Sequence, residues 1–533
     1  MNARPILKNK TYLYLTEFFA GVSVMAVELG ASRLLAPYFS SSQIVWTIII
    51  GTIMIAMALG NLWGGRSADK DPNTDRLYRR LLIAAIWIAA IPVVGKYIIL
   101  GISGLLVLTV STNFLIIAAF CACMVIFVYP LFLLGTVTPS LVKYTVDSLE
   151  DSGKTVGTLG AFNTIGSILG TFLPTFVTIP AVGTAVTFLL FSGILLAIGL
   201  IYFLSAKAGL RACVISLILF VLCAVLGSSG GFAFWDKTLV YEGESVYNYL
   251  QVKEQPDRMI LSTNVLFGVQ SVMMKDDGLT GMYYDYALAA PVMADVMNKP
   301  SPRILVLGNG TGTYARQCAR YFPNASVEGV EIDEKITELA YAYFDMPETV
   351  NVTTYDGRAY LQAVDKKYDV ILVDAYQDIT IPFQMSSVEF FRLVRDHLES
   401  GGVMAVNLNM HSDGEGSINQ SLCDTIASLF PEVYTVDVPH TTNRELFAAL
   451  EEDPAQRLGE GRTNVSDPAF AEHLRFMENR LTAYSGGTHI LTDDQAPVEL
   501  LGMRAIDGLI RSELGYYQTI YREQGITGLI DAF

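Results

Sequence analysis

The sequence predicts a multi-pass bundle of membrane-spanning helices, then a small antiparallel β domain, then a doubly wound parallel α/β domain. Three observations carry this. Long apolar runs dominate up to about residue 230. Short β-rich stretches separated by turns occupy 237–275, and from residue 303 strands and helices alternate with short loops. The domains read as 1–230, 237–280 and 281–533.

The 533 residues are 52% hydrophobic and only 17% charged, whereas soluble proteins carry about a quarter charged residues. The net charge of −16 comes from the second half, because the apolar half is net basic. An acidic chain of this kind is not a nucleic-acid binder, since phosphate recognition needs a basic face. It suits a cationic substrate, and equally a well-solvated surface. Of six cysteines, Cys121, Cys123, Cys213 and Cys223 lie in apolar runs, and Cys318 and Cys423 have no metal-ligand spacing, so no metal is expected. The first apolar run is longer than a cleaved signal's and lacks its small-residue site.

A spanning helix needs about 20 mostly apolar residues. Seven stretches qualify: 12–34, 44–65, 81–101, 112–136, 156–178, 183–204 and 210–229. Gly157, Gly160, Gly166 and Gly170 form a small-residue face for close helix approach in lipid. Arg4, Lys8 and Lys10 precede the first span. Arg66, Lys70, Arg76, Arg79 and Arg80 follow the second, Lys143 and Lys154 the fourth, and Lys207 and Arg211 the sixth. The other side has only Arg33 and Lys96, so the N-terminus is cytoplasmic. Seven spans then place the soluble part outside, whereas an eighth, from a break at Pro92 and Lys96 within 81–111, returns it to the cytoplasm. Glu28 inside span one is a functional candidate or the partner of Arg33, and Glu17 lies near enough to the start to reach the interface.

In the soluble half, strands are expected at 238–241, 249–252, 258–261 and 271–274, and a helix at 283–297. Strands at 303–307, 327–331, 350–354, 368–373 and 402–407 then alternate with helices ending at 321 and at 333–344, 358–364 and 387–399. That order builds a Rossmann-like parallel sheet whose ligands sit at the strand C-termini. Gly308, Gly310 and Gly312 follow the first of these strands, where a flexible backbone turns tightly against a ligand. Glu331 ends the second, where a carboxylate accepts both hydrogen bonds of a ribose diol, and Asp356 follows the third, placed for an adenine amino group. A dinucleotide site is the alternative, but Thr313 or Ala315 stands where its third glycine belongs. Glycines serving packing alone are the plainer reading.

Tyr368-Asp-Val-Ile-Leu-Val-Asp-Ala-Tyr376, Ile381-Pro-Phe and Glu389-Phe-Phe resemble the spermidine synthase (polyamine aminopropyltransferase) family. Glu28-Leu-Gly-Ala-Ser-Arg33, Pro37-Tyr-Phe, Gly64-Gly-Arg-Ser-Ala-Asp69 and Leu491-Thr-Asp-Asp-Gln-Ala-Pro-Val-Glu499 resemble its membrane-fused members. The resemblance implies transfer of an aminopropyl group from decarboxylated S-adenosylmethionine to a polyamine or other amine such as putrescine, with methylthioadenosine as by-product. It implies Asp374 as the base, Glu331 on the ribose, Asp356 and Gly357 on adenine, and Asn248 and Pro382 at the cofactor. Tyr284, Asp285, Thr311 and Asp378 fall where the family binds amines. Thr311 replaces the family's loop aspartate, Tyr284-Asp285 replaces its histidine-glutamate, and Asp378 comes one place late. Asp493 and Asp494 are further candidate acids to replace the lost amine contacts.

Three functions therefore stand: this aminopropyl transfer; methyl transfer from S-adenosylmethionine to a membrane or cationic substrate, which Thr311 suits because an acid there would repel the donor's carboxylate; or a non-catalytic polyamine or nucleoside sensor or transporter, with Glu28 as its candidate. Cytosolic synthesis of the donor favours a cytoplasmic soluble domain, against the count of seven spans. The bilayer is an expected partner, and exposed strands at 237–275 offer a homodimer edge.

Overall fold

The computed structural model describes residues 9–39, 42–71, 73–107, 109–110, 112–145, 152–227, 231–233, 236–264, 268–375, 381–409, 414–451 and 453–532. Apolar sequence with few breakers gives α1 (Lys10–Phe39), α2 (Gln43–Lys70), α3 (Thr74–Val107), α4 (Phe114–Ile126), α5 (Val128–Gly135), α6 (Val137–Thr145), α7 (Ser152–Leu173), α8 (Ile179–Ser205) and α9 (Leu210–Gly227). Among the described residues five helices are long and apolar enough to cross a bilayer, or six if Phe114–Ile126 and Val128–Thr145, bent by 50°, count as one. One of the five, Ser152–Ser205, covers two of the predicted stretches, and its direction reverses at Gly183, where φ is 79°. On one side of that break α7 runs parallel to α1: Phe162 stacks on Tyr14, Gly166 abuts Phe18 and Gly170 abuts Val22. On the other side α8 runs antiparallel to α1, with Phe188 against Gly30 and the Tyr12 hydroxyl donating to the Ile198 carbonyl at 2.6 Å. With the bent pair counted once, the described residues thus pass along the bundle seven times.

Three expectations change. Residues 74–107 form one helix through Pro92, so the described residues of 81–111 hold no eighth passage. Tight packing of α3 against α4, α8 and α9 holds the helix through the proline. Glu17 does not reach the interface: it is fully buried, and its Oε1 accepts from Thr138 at 2.6 Å and Asn163 at 2.8 Å, because it lies two turns inside α1. Of the four small residues of α7, Gly166 and Gly170 meet α1, while Gly157 and Gly160 face open space.

The small sheet holds β1 (Leu239–Glu244), β2 (Tyr249–Glu254), β3 (Arg258–Thr263) and β4 (Ser271–Met274), antiparallel in that order. Its outer strands do not lie open: β1 packs on α8, and β4 bonds the Thr313 side chain. The helix expected over 283–297 is broken into α10 (Tyr283–Ala287) and α11 (Ala289–Met293). There follow β5 (Arg303–Leu307), α12 (Thr313–Tyr321), β6 (Ser326–Glu331), α13 (Glu334–Tyr343), β7 (Asn351–Thr354), α14 (Gly357–Ala363), β8 (Tyr368–Val373), α15 (Val388–Asp396) and β9 (Leu398–Leu408). The chain continues through α16 (Ile418–Ala427), β10 (Glu432–Asp437), β11 (Arg444–Ala449), α17 (Pro454–Arg462), α18 (Pro468–Glu478), β12 (Thr482–Ala483) and α19 (Val498–Ala532). The strand order is β12-β10-β11-β9-β8-β5-β6-β7, parallel from β9 to β7 and antiparallel from β12 to the β11–β9 pair.

One apolar layer packs α10–α12, α17 and α18 on the sheet, and another packs α14–α16 on its opposite face. The long α19 leaves the domain and returns to the bundle, with Met503 and Ile506 against Ile44, Leu115 and Ile116. Bundle and soluble part meet at one end of the bundle. There Arg33 reaches the Val246 carbonyl, Lys96 donates to the Gly231 carbonyl at 3.0 Å, and Thr184 donates to Glu244.

Candidate active site

The site grows from the C-terminal edge of the parallel sheet. β5 and β8 are neighbours whose chains leave in opposite directions, which opens a crevice between the loops that follow them. Gly308 follows β5 with φ 85°, and a side chain there would stand 2.5 Å from the Asp374 carbonyl. Only glycine lets these two loops touch. Here lies a cavity of about 280 Å³.

Glu331, Asp356 and Asn248 line one part of it. Glu331, at the end of β6, takes the Gly310 N–H on Oε2 at 2.8 Å and the Asp333 N–H on Oε1 at 3.0 Å. Burial pushes its carboxyl up to about 7 against these donors. A carboxylate fixed in this way keeps further lone pairs for a ligand diol. Asp356 caps α14 by accepting from Ala359 N at 2.8 Å, and it lines the cavity with Gly357 and Pro382. Asn248 also lines it, held between Asp333 at 2.8 Å and Asn264 at 2.7 Å. Asp333, itself buried, binds Ser245 at 2.5 Å and so ties the small sheet to the large one.

The opposite wall is acidic. Asp374 directly follows β8 and is buried. Its Oδ1 accepts from Asn407 Nδ2 at 2.9 Å and its Oδ2 from the Tyr283 hydroxyl at 2.8 Å. Burial raises its carboxyl to about 7, with the Glu331 charge adding to the shift and the two hydrogen bonds opposing it. A carboxyl poised near neutrality suits proton transfer at physiological pH. Tyr284 lines the same cavity and donates to the Gln270 carbonyl at 2.6 Å; burial raises its phenol.

Other predicted residues lie elsewhere. Gly312 caps α12 with φ 84° and lines, with Thr311, a separate cavity of about 350 Å³. Asp285 is buried away from the nucleoside cavity: Oδ1 takes the Thr280 N–H, the Thr280 hydroxyl and the Gln317 amide, and Oδ2 takes the Gly281 N–H. Asp493 forms a two-pronged ion pair with Arg358 and accepts from Ser387 at 2.5 Å. Asp378 lies outside the described residues. Sequence reasoning missed the contacts of Tyr283 and Asn407; the signal for Asn407 was a polar residue closing the apolar strand at 402–407. A larger cavity of about 860 Å³ between the bundle and β1–β2 meets the first at Tyr247 and Ile332, so the site opens toward the bundle.

A mostly parallel sheet with a cavity at its C-terminal edge, lined by Glu331, Asp356 and Asp374, defines a Rossmann-like fold. Residues 286–456 match the spermine/spermidine synthase domain. A probable polyamine aminopropyl transferase of Bifidobacterium longum (strain NCC 2705) is 55% identical over 350 residues, covering 62% of this chain and 78% of that protein. A polyamine aminopropyltransferase of Vibrio vulnificus (strain CMCP6) is 28% identical over 306 residues, covering 54% and 98%. Among solved structures, a probable spermidine synthase from Corynebacterium glutamicum ATCC 13032 is 21% identical and covers 46% of this chain and 96% of that one, with a TM-score of 0.38. The chain belongs to the polyamine aminopropyltransferase family, and is a transferase.

Proposed function

We propose that the chain is a membrane-bound enzyme that transfers the aminopropyl group of decarboxylated S-adenosylmethionine to an amine such as putrescine. The observation that carries this is Asp374, a buried carboxyl raised to about 7 that faces the nucleoside wall across one cavity. Glu331 holds the ribose diol, and Asp356 with Gly357 borders the adenine. The acceptor nitrogen, having lost a proton to Asp374, attacks the carbon next to the sulfonium. The new C–N bond forms as the C–S bond breaks, and its electron pair returns to sulfur, leaving neutral methylthioadenosine. Tyr283 and Asn407 hold the carboxylate in position for this proton.

The test is methylthioadenosine release by the detergent-purified protein, supplied with the decarboxylated donor and a panel of amines. Release that needs both an amine and Asp374 supports the reading. Methylated product from S-adenosylmethionine, with no aminopropyl transfer, would replace it by the methyltransferase reading.

The bundle's outward residues support membrane insertion. Leu62, Phe172 and Ile218 are each more than half exposed, in an apolar belt that suits lipid. The basic residues Arg66, Arg76, Lys143, Lys154 and Arg211 lie at the ends of passages remote from the soluble domain, and the positive-inside rule puts that end in the cytoplasm. The catalytic domain, seven passages on, is then on the outer side. This goes against the cytosolic placement that donor synthesis favours, and it requires a donor delivered outside. A C-terminal alkaline phosphatase fusion is expected to be active and a green fluorescent fusion dark. The reverse pattern would move the domain inside.

A further inference from the structure

The acids of the site belong to one row across the sheet. Leu307 pairs with Val330 and Val373, Val373 with Val406, and Asn407 with Glu445. One residue past the β5 and β8 pairs, the row runs Glu331, Gly308, Asp374, Asn407, Glu445. Along the same strands Val306, Leu372, Ala405 and Phe447 face the layer of α10–α12. With the period of two along a strand, Asp374, Asn407 and Glu445 face that layer as well. The reaction above uses the row only as far as Asn407.

Glu445 differs from its neighbours. Glu331 and Asp374 each hold two protein donors. Glu445 is 0% exposed, and neither of its carboxyl oxygens has a hydrogen-bond partner among the described residues. The charge that acts on it is Asp374, another acid. Arg444, next in the chain, turns to the other face of the strand and pairs with Asp437. Buried carboxyls are normally paired, and leaving one without hydrogen bond or counter-charge is costly. A primary ammonium supplies both the charge and up to three N–H donors. Glu445 stands two strand spacings from Asp374, about 10 Å at the backbone, on the same face of the sheet.

We propose that Glu445 receives the primary alkylammonium of a reactant, at the end of the chain remote from the new bond. This rests on the aminopropyl-transfer reading. The ammonium is either the aminopropyl terminus of the donor or the far amine of a diamine acceptor, and kinetics separate the two.

The test uses the full chain in detergent as wild type, Glu445→Gln and Glu445→Met. Methylthioadenosine binding, which involves no ammonium, reports the nucleoside wall. Initial rates are measured against the decarboxylated donor, and against putrescine and butylamine as a diamine and monoamine of equal length. Both variants are expected to bind methylthioadenosine as the wild type does. If the donor's ammonium is the ligand, KM for the donor rises at least tenfold; if the acceptor's is, the preference for putrescine over butylamine collapses by a similar factor. Every KM within twofold of wild type in both variants overturns the assignment. So does loss of methylthioadenosine binding in both, which would make Glu445 a part of the folded core. A wild type without aminopropyl transfer sinks the parent reading, and the assignment with it.

Discussion

The two walls of the cavity handle buried charge in different ways. On the nucleoside wall each acid is occupied by backbone: Glu331 takes two N–H groups, and Asp356 caps a helix. On the other side the carboxyl is held by side chains, Asp374 by Tyr283 and Asn407, while Glu445, two strands beyond it and outside the cavity lining, is held by no described residue. A wall built on backbone donors is fixed once the strands pair, which suits a ligand of fixed shape such as the proposed nucleoside. A wall built on side chains under a raised carboxyl can take up a proton or a cation, which is what a reacting amine requires.

The largest test of this contrast is Asp374→Asn. Turnover should fall about 100- to 10,000-fold, the range for removing a general base, while methylthioadenosine affinity stays near wild type. Equal losses in both would place Asp374 in nucleoside binding and merge the two walls. Glu331→Gln should do the reverse, weakening nucleoside binding about 10- to 100-fold, as expected for a hydrogen bond to a charged group worth about 1.5–3 kcal/mol. Isothermal titration with methylthioadenosine measures it.

The pH profile sharpens the contrast further. Asp374 must be ionised to accept a proton, so kcat/KM should fall roughly tenfold per pH unit below its raised value of about 7. The sign for stability is opposite. A carboxyl raised in the folded state contributes stability that is present below its unfolded value of about 3.9 and lost as pH rises to about 7. Urea midpoints of Asp374→Asn should therefore vary less than wild type between those limits. A profile flat through pH 7 would mean that Asp374 titrates elsewhere.

The smallest effects belong to acids the structure keeps away from the chemistry. Asp285→Asn should cost about 1–3 kcal/mol through its buried bonds to the 280–281 turn and Gln317, with the ratio of donor to acceptor KM unchanged. Asp493→Ala, losing a partly exposed pair with Arg358, should cost under about 1 kcal/mol in thermal unfolding. A selective rise in amine KM for Asp285→Asn would return it to the amine wall.

Much of this was legible in the sequence, because it is local. Apolar length marks the helices, and the strands at 303–307, 327–331 and 368–373 lie within a residue of the observed ones; 304–307 and 370–373 are uninterrupted apolar runs, as strands buried on both faces are. Gly308 and Asp374 follow such runs, Glu331 closes its strand and Asp356 comes just after Thr354, so their place at the strand ends could be read from order alone. Residues beyond 407 were not parsed into strands. Thr435 and Arg444-Glu445 interrupt the apolar pattern of β10 and β11, and antiparallel addition to a parallel sheet leaves no strand–helix rhythm to follow.

The sequence by itself determined the apolar bundle, the parallel sheet and the place of Gly308, Glu331 and Asp356 at its strand ends, because periodicity, glycine freedom and strand ends act within a few residues of one another. Only the tertiary structure decided the rest. It kept α3 whole through Pro92, turned the chain back at Gly183, buried Glu17 between helices and gave Asp285 to a turn. It also set Glu445 beside Asn407 and two strands from Asp374, residues 38 and 71 positions away in the chain. Such placements depend on which strands pair and which helices touch, and burial then fixes what each side chain can bond.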